Sequence, residues 1–194
     1  MSGATPSQTA GPFVSIGTGW DSGAGMAGED DLGAIVVTGR LLDGGGSPIT
    51  DALVEFWQAD PEGRFPPECR PGWRGFARVL TDDDGRYRLV THKPGPTGPG
   101  NSARAAREAP HIDVSIFARG LLQRLVTRVY FSDEAANLAD GVLASLGSDE
   151  LRSRLVARRR EVAGSLGSGP RVPPVYDFDI HLQGDMETVF FAPW

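Results

Sequence analysis

Short segments of alternating apolar and polar residues, separated by turns, constrain the fold of this chain most strongly. In the segment His111–Phe117, Ile112, Val114 and Ile116 alternate with the polar residues His111, Asp113 and Ser115. Successive side chains of a strand point to opposite faces, so this pattern buries one face in a core. The 26 glycines and 15 prolines among 194 residues also suit strands joined by turns. We therefore predict a mainly β protein with a β-sandwich core.

Eight segments are predicted as strands by alternation or by β-branched and aromatic content. They are Ile35–Leu42, Ala52–Ala59, Phe76–Leu80, Tyr87–Thr91, His111–Phe117, Leu125–Phe131, Tyr176–Leu182 and Thr188–Phe191. The turn Thr81–Gly85 carries an Asp-Gly pair between two such segments, which predicts a β-hairpin.

One helix is predicted as an excursion from the sandwich, near residues 148–162. Ser148 can cap its start, and Asp149 and Glu150 suit the positive end of the helix dipole. The basic run Arg158–Arg160 would then complement the dipole at the other end. Residues 1–33 lack a core pattern and are predicted to form an N-terminal arm, leaving 34–194 as the folded domain.

The composition of the chain argues against some classes of binding partner and indicates its cellular compartment. The formal net charge of −6 argues against a nucleic-acid groove or an anionic membrane surface. The single cysteine, Cys69, excludes an internal disulfide and has no Lys or His beside it that would activate a thiolate. With neither a secretory signal pattern nor an apolar run of membrane length, we expect a cytoplasmic protein.

The pair His111 and Asp113 is the most suggestive feature for chemistry. Residues i and i+2 of a strand project to one face, and a His-x-His pair placed this way commonly binds a metal ion. Here a carboxylate holds the second position. The pair could be a variant metal site, a former one, an acid–base pair or ordinary surface, and these residues alone leave the choice open.

Six further motifs occur in a fixed order along the chain. They are Ser7–Phe13, Glu55–Asp60 with Gly63–Phe65, Thr81 with Gly85 and Tyr87, His92–Gly95, Pro110–Asp113 and Thr127–Phe131. Together they resemble the intradiol ring-cleaving dioxygenases, from about residue 7 to the C terminus. The resemblance implies a β-sandwich and, in catalytic chains, a ferric ion held by two tyrosines and two histidines.

Carried onto this chain position by position, the resemblance implies that the iron ligands are lost. Phe65 takes the place of the first tyrosine, and no tyrosine occurs between Pro94 and Ala109. His111 is retained, but Asp113 replaces the second histidine. Glu108 and Arg128 replace a supporting arginine and a glutamine of catalytic chains. We therefore expect no metal here, and we expect Tyr87, Tyr130 and Tyr176 to be packing residues with a polar tip.

The resemblance further implies a non-iron α subunit whose partner, a β chain, holds Fe(III). The arm residues Thr9, Gly11 and Pro12 would help to form the partner's pocket, and Arg119 would attract the carboxylate of a catechol-type substrate. The assembly would cleave 3,4-dihydroxybenzoate with O2 to 3-carboxy-cis,cis-muconate. The alternatives are a flexible arm and a solvated Arg119, within a non-catalytic homo-oligomeric binding or scaffold protein.

Overall fold

The computed structural model describes residues 5–9, 11, 14–18, 25–98, 107–160 and 172–192. Within them the chain forms nine strands: β1 Ala34–Leu42, β2 Leu53–Trp57, β3 Phe76–Leu80, β4 Arg86–His92, β5 His111–Phe117, β6 Leu125–Phe131, β7 Val156–Arg159, β8 Val175–Asp177 and β9 Ile180–His181. The described helices are α1 Val14–Thr18, a 3-10 helix Ala135–Ala139, α2 Gly141–Ser145 and α3 Asp149–Ser153. Each has five residues, whereas about 20 are needed to cross a bilayer.

The strands form one sheet in the order β3-β2-β5-β6-β7-β8-β1-β4, with β9 paired to β1. The ladders β6–β7, β1–β8 and β1–β9 are parallel, and the others are antiparallel. The sheet folds on itself, because one core cluster combines side chains of β2, β5 and β6 with those of β1, β4 and β8. The predicted β-sandwich is thus confirmed.

Strand β5 shows how the alternation positions the candidate site. Ile112, Val114 and Ile116 are fully buried in the core, as predicted. His111 and Asp113 lie on the opposite, outer face of the layer formed by β3, β2, β5 and β6. A second cluster, made of Ala109, Tyr130, Leu143 and Leu155, packs on this outer side. The helical excursion therefore covers one end of the β5–β6 ladder.

The predicted hairpin at Thr81–Gly85 is wrong. β3 pairs with β2 and β4 pairs with β1, so the turn joins the two end strands of the folded sheet. Gly85 has a φ of +70°, and its carbonyl accepts the Leu41 N–H at 2.8 Å. A Cβ at Gly85 would lie 2.9 Å from the Leu41 carbonyl oxygen, so the turn packs against β1. The Asp-Gly turn forms, but these edge pairings override the hairpin.

The predicted helix over 148–162 is wrong beyond its first turn. Ser148 caps α3 as expected, with its Oγ accepting the Leu151 N–H, but the helix ends at Ser153. The following residues form β7, and the Tyr130 N–H donates to the Leu155 carbonyl at 2.8 Å. The backbone is extended here because β7 pairs with β6 on one side and with β8 on the other. The last two residues of the predicted helix, 161 and 162, lie outside the described residues.

The basic run Arg158–Arg160 belongs to this strand region and not to a helix end, which corrects its predicted role. Arg159 Nη1 lies 3.2 Å from Asp133 Oδ2, and Arg160 Nε lies 3.0 Å from Asp177 Oδ2. Both arginines therefore pair with carboxylates of this chain.

Of the two C-terminal segments predicted as strands, the first is divided and the second forms no strand. Tyr176–Leu182 is divided into β8 and β9 where the Phe178 carbonyl crosses Gly39, at which a Cβ would lie 1.8 Å from that oxygen. Thr188–Phe191 makes only an isolated bridge from Phe191 to Val126.

The arm is partly held by this chain. The Met26 N–H donates to the Val90 carbonyl at 2.8 Å, and the Met26 side chain packs on the core. Residues 25–33, predicted as part of an arm without a core of its own, are thus joined to the core of this chain through Met26 and a backbone bridge to β4. β1 begins at Ala34, at the predicted start of the domain.

Candidate functional site

A polar cluster on the outer face of the β5–β6 ladder contains four of the residues selected from the sequence. The ladder places Asp113 opposite Arg128 and His111 opposite Tyr130. Arg128 Nε donates to Asp113 Oδ1 at 2.9 Å, and its Nη1 donates to Glu108 Oε2 at 2.8 Å. The Arg128 side chain is 13% exposed. The structure thus brings Glu108, His111, Asp113 and Arg128 together around a largely buried guanidinium.

His111 is buried and held in one orientation. Its Nδ1 lies 2.7 Å from the Ala109 carbonyl oxygen, and its ring lies 5.6 Å from that of Tyr130, measured between centroids. A carbonyl only accepts hydrogen bonds, so Nδ1 carries the proton that is shared in this contact. Nε2 faces the carboxylates, 3.5 Å from Glu108 Oε2 and 3.9 Å from Asp113 Oδ1.

Asp140 links the segment that carries the cluster to helix α2. This residue was not identified from the sequence. Its Oδ1 accepts the N–H groups of Val142 and Leu143, both at 2.9 Å, and caps α2. Its Oδ2 accepts the Ala109 N–H at 2.8 Å. An aspartate before a short apolar segment is a detectable helix cap. The hydrogen bond from the Ala109 N–H to Asp140 depends on the tertiary fold, and no local sequence pattern predicts it.

The Arg128 guanidinium in the cluster stays positively charged. Burial works against the charged guanidinium, but the Tyr130 oxygen and the carboxylates of Asp113 and Glu108 outweigh it and raise its pKa. Burial also raises the pKa of Tyr130 well above its usual value, against the opposing influence of Arg128. Tyr130 therefore keeps its proton, and its hydroxyl lies 3.3 Å from Asp140 Oδ1.

All three tyrosines are packing residues with a bonded hydroxyl, as predicted. Tyr87, Tyr130 and Tyr176 are each at most 2% exposed. The Tyr87 hydroxyl donates to the Phe178 carbonyl, and the Tyr176 hydroxyl donates to Asp133 Oδ2 at 3.0 Å. Each hydroxyl thus serves the internal structure of this chain.

Phe65 lies at the edge of the cluster and has no polar function there. Its ring stacks on Trp57 at 5.8 Å between centroids, and Trp57 is the β2 partner of Asp113. The loop that carries Phe65 is built around buried Asp60, which accepts N–H groups from Glu62, Arg64 and Arg70. Sequence reasoning missed the structural roles of Trp57 and Asp60, which depend on these contacts.

The cluster does not fit ferric iron. Fe(III) favours anionic oxygen donors such as phenolates, and the Tyr130 hydroxyl beside the cluster is already engaged by Asp140 Oδ1 at 3.3 Å and by Arg128 Nη1 at 3.5 Å. The two carboxylates are already bonded to a guanidinium, whose charge opposes a second cation. In the described part of the chain, no three His, Cys, Asp or Glu side chains are arranged to hold a metal ion. His181 on β9 pairs with Leu42, in the other layer.

A second group joins two other residues selected from the sequence, Thr9 and Arg119. Thr9 Oγ1 accepts the N–H of Gly120 at 2.8 Å. Arg119 Nε forms an ion pair with Asp51 Oδ2, and the Arg119 side chain stays 58% exposed. Asp51 was missed from the sequence, because its approach to Arg119 follows from the pairing of β2 with β5. The arm, a strand end and an exposed guanidinium thus form one patch.

The two groups lie at opposite ends of β5. Six residue steps separate His111 from Phe117, which spans about 20 Å at the usual rise of a strand. Gly11 is exposed, and a Cβ there would meet no described atom within 4 Å. Pro12 lies outside the described residues.

Comparisons with known proteins agree with the motifs in the sequence. A family model described as Dioxygenase matches residues 12–184, which is most of the chain. The chain belongs to the intradiol dioxygenase family. The protocatechuate 3,4-dioxygenase alpha chain of Burkholderia cepacia is 42% identical over 96% of both chains. The beta chain of the same enzyme in that organism is 38% identical over 77% of this chain and 64% of its own length.

A solved dioxygenase structure supports the same assignment at the level of the fold. The dioxygenase domain of a dioxygenase carbohydrate-binding protein fusion from Streptomyces sp. SirexAA-E superposes with a TM-score of 0.60. It is 26% identical and covers 83% of this chain and 87% of its own. Within this intradiol dioxygenase fold, the chain carries Arg128 bonded to two carboxylates on its outer face.

Proposed function

We propose that this chain is the non-iron alpha subunit of a protocatechuate 3,4-dioxygenase. The observation that carries the proposal is the ion-paired Arg128 in a chain similar to such an alpha chain over nearly its whole length. A guanidinium bonded to Glu108 and Asp113 leaves this chain unable to hold the ferric iron of the family, so the metal chemistry requires another chain.

The partner in this proposal is a beta chain that binds Fe(III) through tyrosines and histidines. The similarity of this chain to both the alpha and the beta chain of one enzyme supports an assembly of two related subunits. The reaction would be O2-dependent intradiol cleavage of 3,4-dihydroxybenzoate to 3-carboxy-cis,cis-muconate. The reducing cytoplasm is the compartment proposed for it, given the single cysteine.

The contribution of this chain would be a wall of the partner's pocket. Thr9, Gly11 and Pro12 on the arm are proposed to approach the substrate together with Arg119. Hydrogen bonding of Thr9 to Gly120 supports this, because it ties the arm to the turn that carries the exposed guanidinium. An arginine presents several donors in a planar fork that matches a benzoate carboxylate.

Co-expression with a candidate beta chain tests the proposal. The two chains should purify together, the complex should contain iron in proportion to the beta chain, and it should consume O2 when given 3,4-dihydroxybenzoate. Each chain expressed alone is the control, and this chain alone should show no activity and no iron. If the chains never purify together while this chain forms a stable homo-oligomer, the proposal fails and the scaffold hypothesis replaces it.

A further inference from the structure

The His92 ring, at the end of β4, contacts two segments that are far apart in sequence. One is the loop of residues 60–73, in which Arg70 Nη2 lies 3.1 Å from His92 Nδ1. The Trp73 ring of the same loop lies 5.9 Å from the imidazole, measured between centroids. The other is the end of the arm, where a Cβ at Gly33 would lie 3.6 Å from His92 Cδ2. One half-buried imidazole therefore joins the loop to the arm.

The contact between Arg70 and His92 requires a neutral imidazole. A guanidinium only donates hydrogen bonds, so His92 Nδ1 accepts from Arg70 Nη2 and the ring proton lies on Nε2. Uptake of a proton at Nδ1 removes the acceptor and leaves two cations in direct contact, which repel each other. The hydrogen bond that joins the loop to β4 is therefore lost when the ring is protonated.

Arg70 is also part of the internal structure of the loop. Its N–H donates to Asp60 Oδ2 at 2.8 Å, and its carbonyl accepts the Trp73 N–H at 3.0 Å. Its guanidinium lies 4.8 Å from the centre of the Trp73 ring, and Trp73 is only 8% exposed. A charged His92 that displaces the guanidinium therefore also removes its cation–π contact with a buried ring, which weakens the loop from within.

We propose that His92 is a pH-dependent switch: the neutral ring holds the 60–73 loop against β4 and the arm, and the protonated ring releases the loop. The loop carries Phe65, whose ring stacks on Trp57 of β2. Release of the loop therefore uncovers more of the Trp57 ring, which is 40% exposed in the closed form. The switch belongs to this chain alone and is independent of the function proposed above.

The charged groups around the ring act in opposite directions. Burial and Arg70 lower the pKa of His92, and Asp31 of the arm and the Leu32 carbonyl raise it by less. The neighbouring Lys93 is directed elsewhere, to the two carboxylates that follow β6. The closed loop thus binds its proton less readily than the open loop, in which the ring has its ordinary pKa of about 6.5. The open form therefore gains population as the pH falls below that value.

Titration of the His92 ring by NMR in the full chain is the direct test. The chain has three histidines, so the ring signal that is lost in His92→Gln identifies this one. Its midpoint should lie below the ordinary value, Arg70→Met should raise it, and Asp31→Asn should lower it further. Asp31 is exposed, so this second variant covers the case in which Arg70→Met does not fold. A wild-type midpoint at or above the ordinary value, or shifts in the opposite directions, overturns the proposal.

Hydrogen exchange measures whether the loop opens. The N–H groups of Arg64 and Arg70 are bonded to the Asp60 carboxylate, whose lowered pKa keeps it ionised between pH 7.5 and pH 5. Over this range their protection, corrected for the intrinsic rate, should fall by up to about tenfold per pH unit, the limit for opening coupled to one proton. In His92→Gln it should stay constant, because the glutamine oxygen can accept from Arg70 at every pH. His181→Gln, on β9, is the control and should behave as the wild type. An equal loss of protection in His92→Gln and the wild type overturns the proposal.

Discussion

Thr9 and Gly120 are 111 residues apart in sequence, yet Thr9 Oγ1 accepts the Gly120 N–H at 2.8 Å. This bond fixes part of the arm beside Arg119, whose side chain remains mostly exposed. An arm tied at this point would present a defined surface to the proposed beta chain, which a flexible tail would not.

Removing the acceptor on Thr9 should reduce the activity of the two-chain enzyme. A net hydrogen bond contributes about 1 kcal/mol, so Thr9→Val should lower kcat/KM for 3,4-dihydroxybenzoate by about fivefold. Steady-state O2 uptake by the co-expressed complex measures this. Thr9→Ser keeps the hydroxyl and should retain the wild-type value. Equal activity of the Val and Ser variants would count against a role for the arm.

Loss of the Arg119 guanidinium should weaken binding of the substrate through its carboxylate. Charge-assisted hydrogen bonds contribute about 1.5–3 kcal/mol, so Arg119→Met should raise KM for 3,4-dihydroxybenzoate by about tenfold or more. Asp51→Asn should act in the same direction more weakly, because it releases the orientation of Arg119. Catechol, which lacks the carboxylate, should be little affected.

Arg124 offers the matched control for Arg119. It is an exposed arginine in the same connection between β5 and β6. Arg124→Met should leave KM unchanged. If both arginine variants raise KM equally, general electrostatic attraction and not a specific contact explains the effect.

Asp60 should stabilise the loop that carries Phe65, and this contribution should depend on pH. Burial alone would raise the Asp60 pKa, but the N–H donors of Arg64 and Arg70 outweigh it and lower the pKa. A depressed folded pKa adds stability above the unfolded pKa, and this is lost as the pH falls through the folded value. Asp60→Asn should therefore cost about 2–3 kcal/mol at pH 7, and less below about pH 4.

Urea unfolding at several pH values measures the Asp60 contribution. Asp84, an exposed carboxylate in the Thr81–Gly85 turn, is the control, and Asp84→Asn should change the free energy of unfolding little at any pH. A cost for Asp60→Asn that stays constant between pH 7 and pH 3 would contradict the assigned pKa shift.

Asp140 should be critical for the stability of the helical excursion. Asp140→Ala leaves the N–H groups of Ala109, Val142 and Leu143 without their acceptor, so we expect a loss of about 3 kcal/mol or more. Asp149 begins the neighbouring helix but is exposed, and Asp149→Ala should cost less than about 0.5 kcal/mol. Thermal unfolding followed by circular dichroism compares the two, and similar losses would refute the anchoring role.

Local patterns predicted most of the strands but not their partners. The bounds of β3, β5 and β6 follow directly from alternation and β-branched content. The Thr81–Gly85 turn was also recognisable, yet the strands on either side of it pair elsewhere. The helix proposed for 148–162 failed for the same reason, because the neighbours β6 and β8 decide that Val156–Arg159 is extended.

By itself, the sequence determined the family, the alternation that buries Ile112, Val114 and Ile116, and the shared face of His111 and Asp113. These depend on residue type and on the two-residue period of a strand. Only the tertiary structure decided that Arg128 binds Glu108 and Asp113, that Asp140 reaches Ala109, and that Thr9 meets Gly120. Each of these contacts depends on the register between strands or on how a loop folds back, which no local pattern encodes.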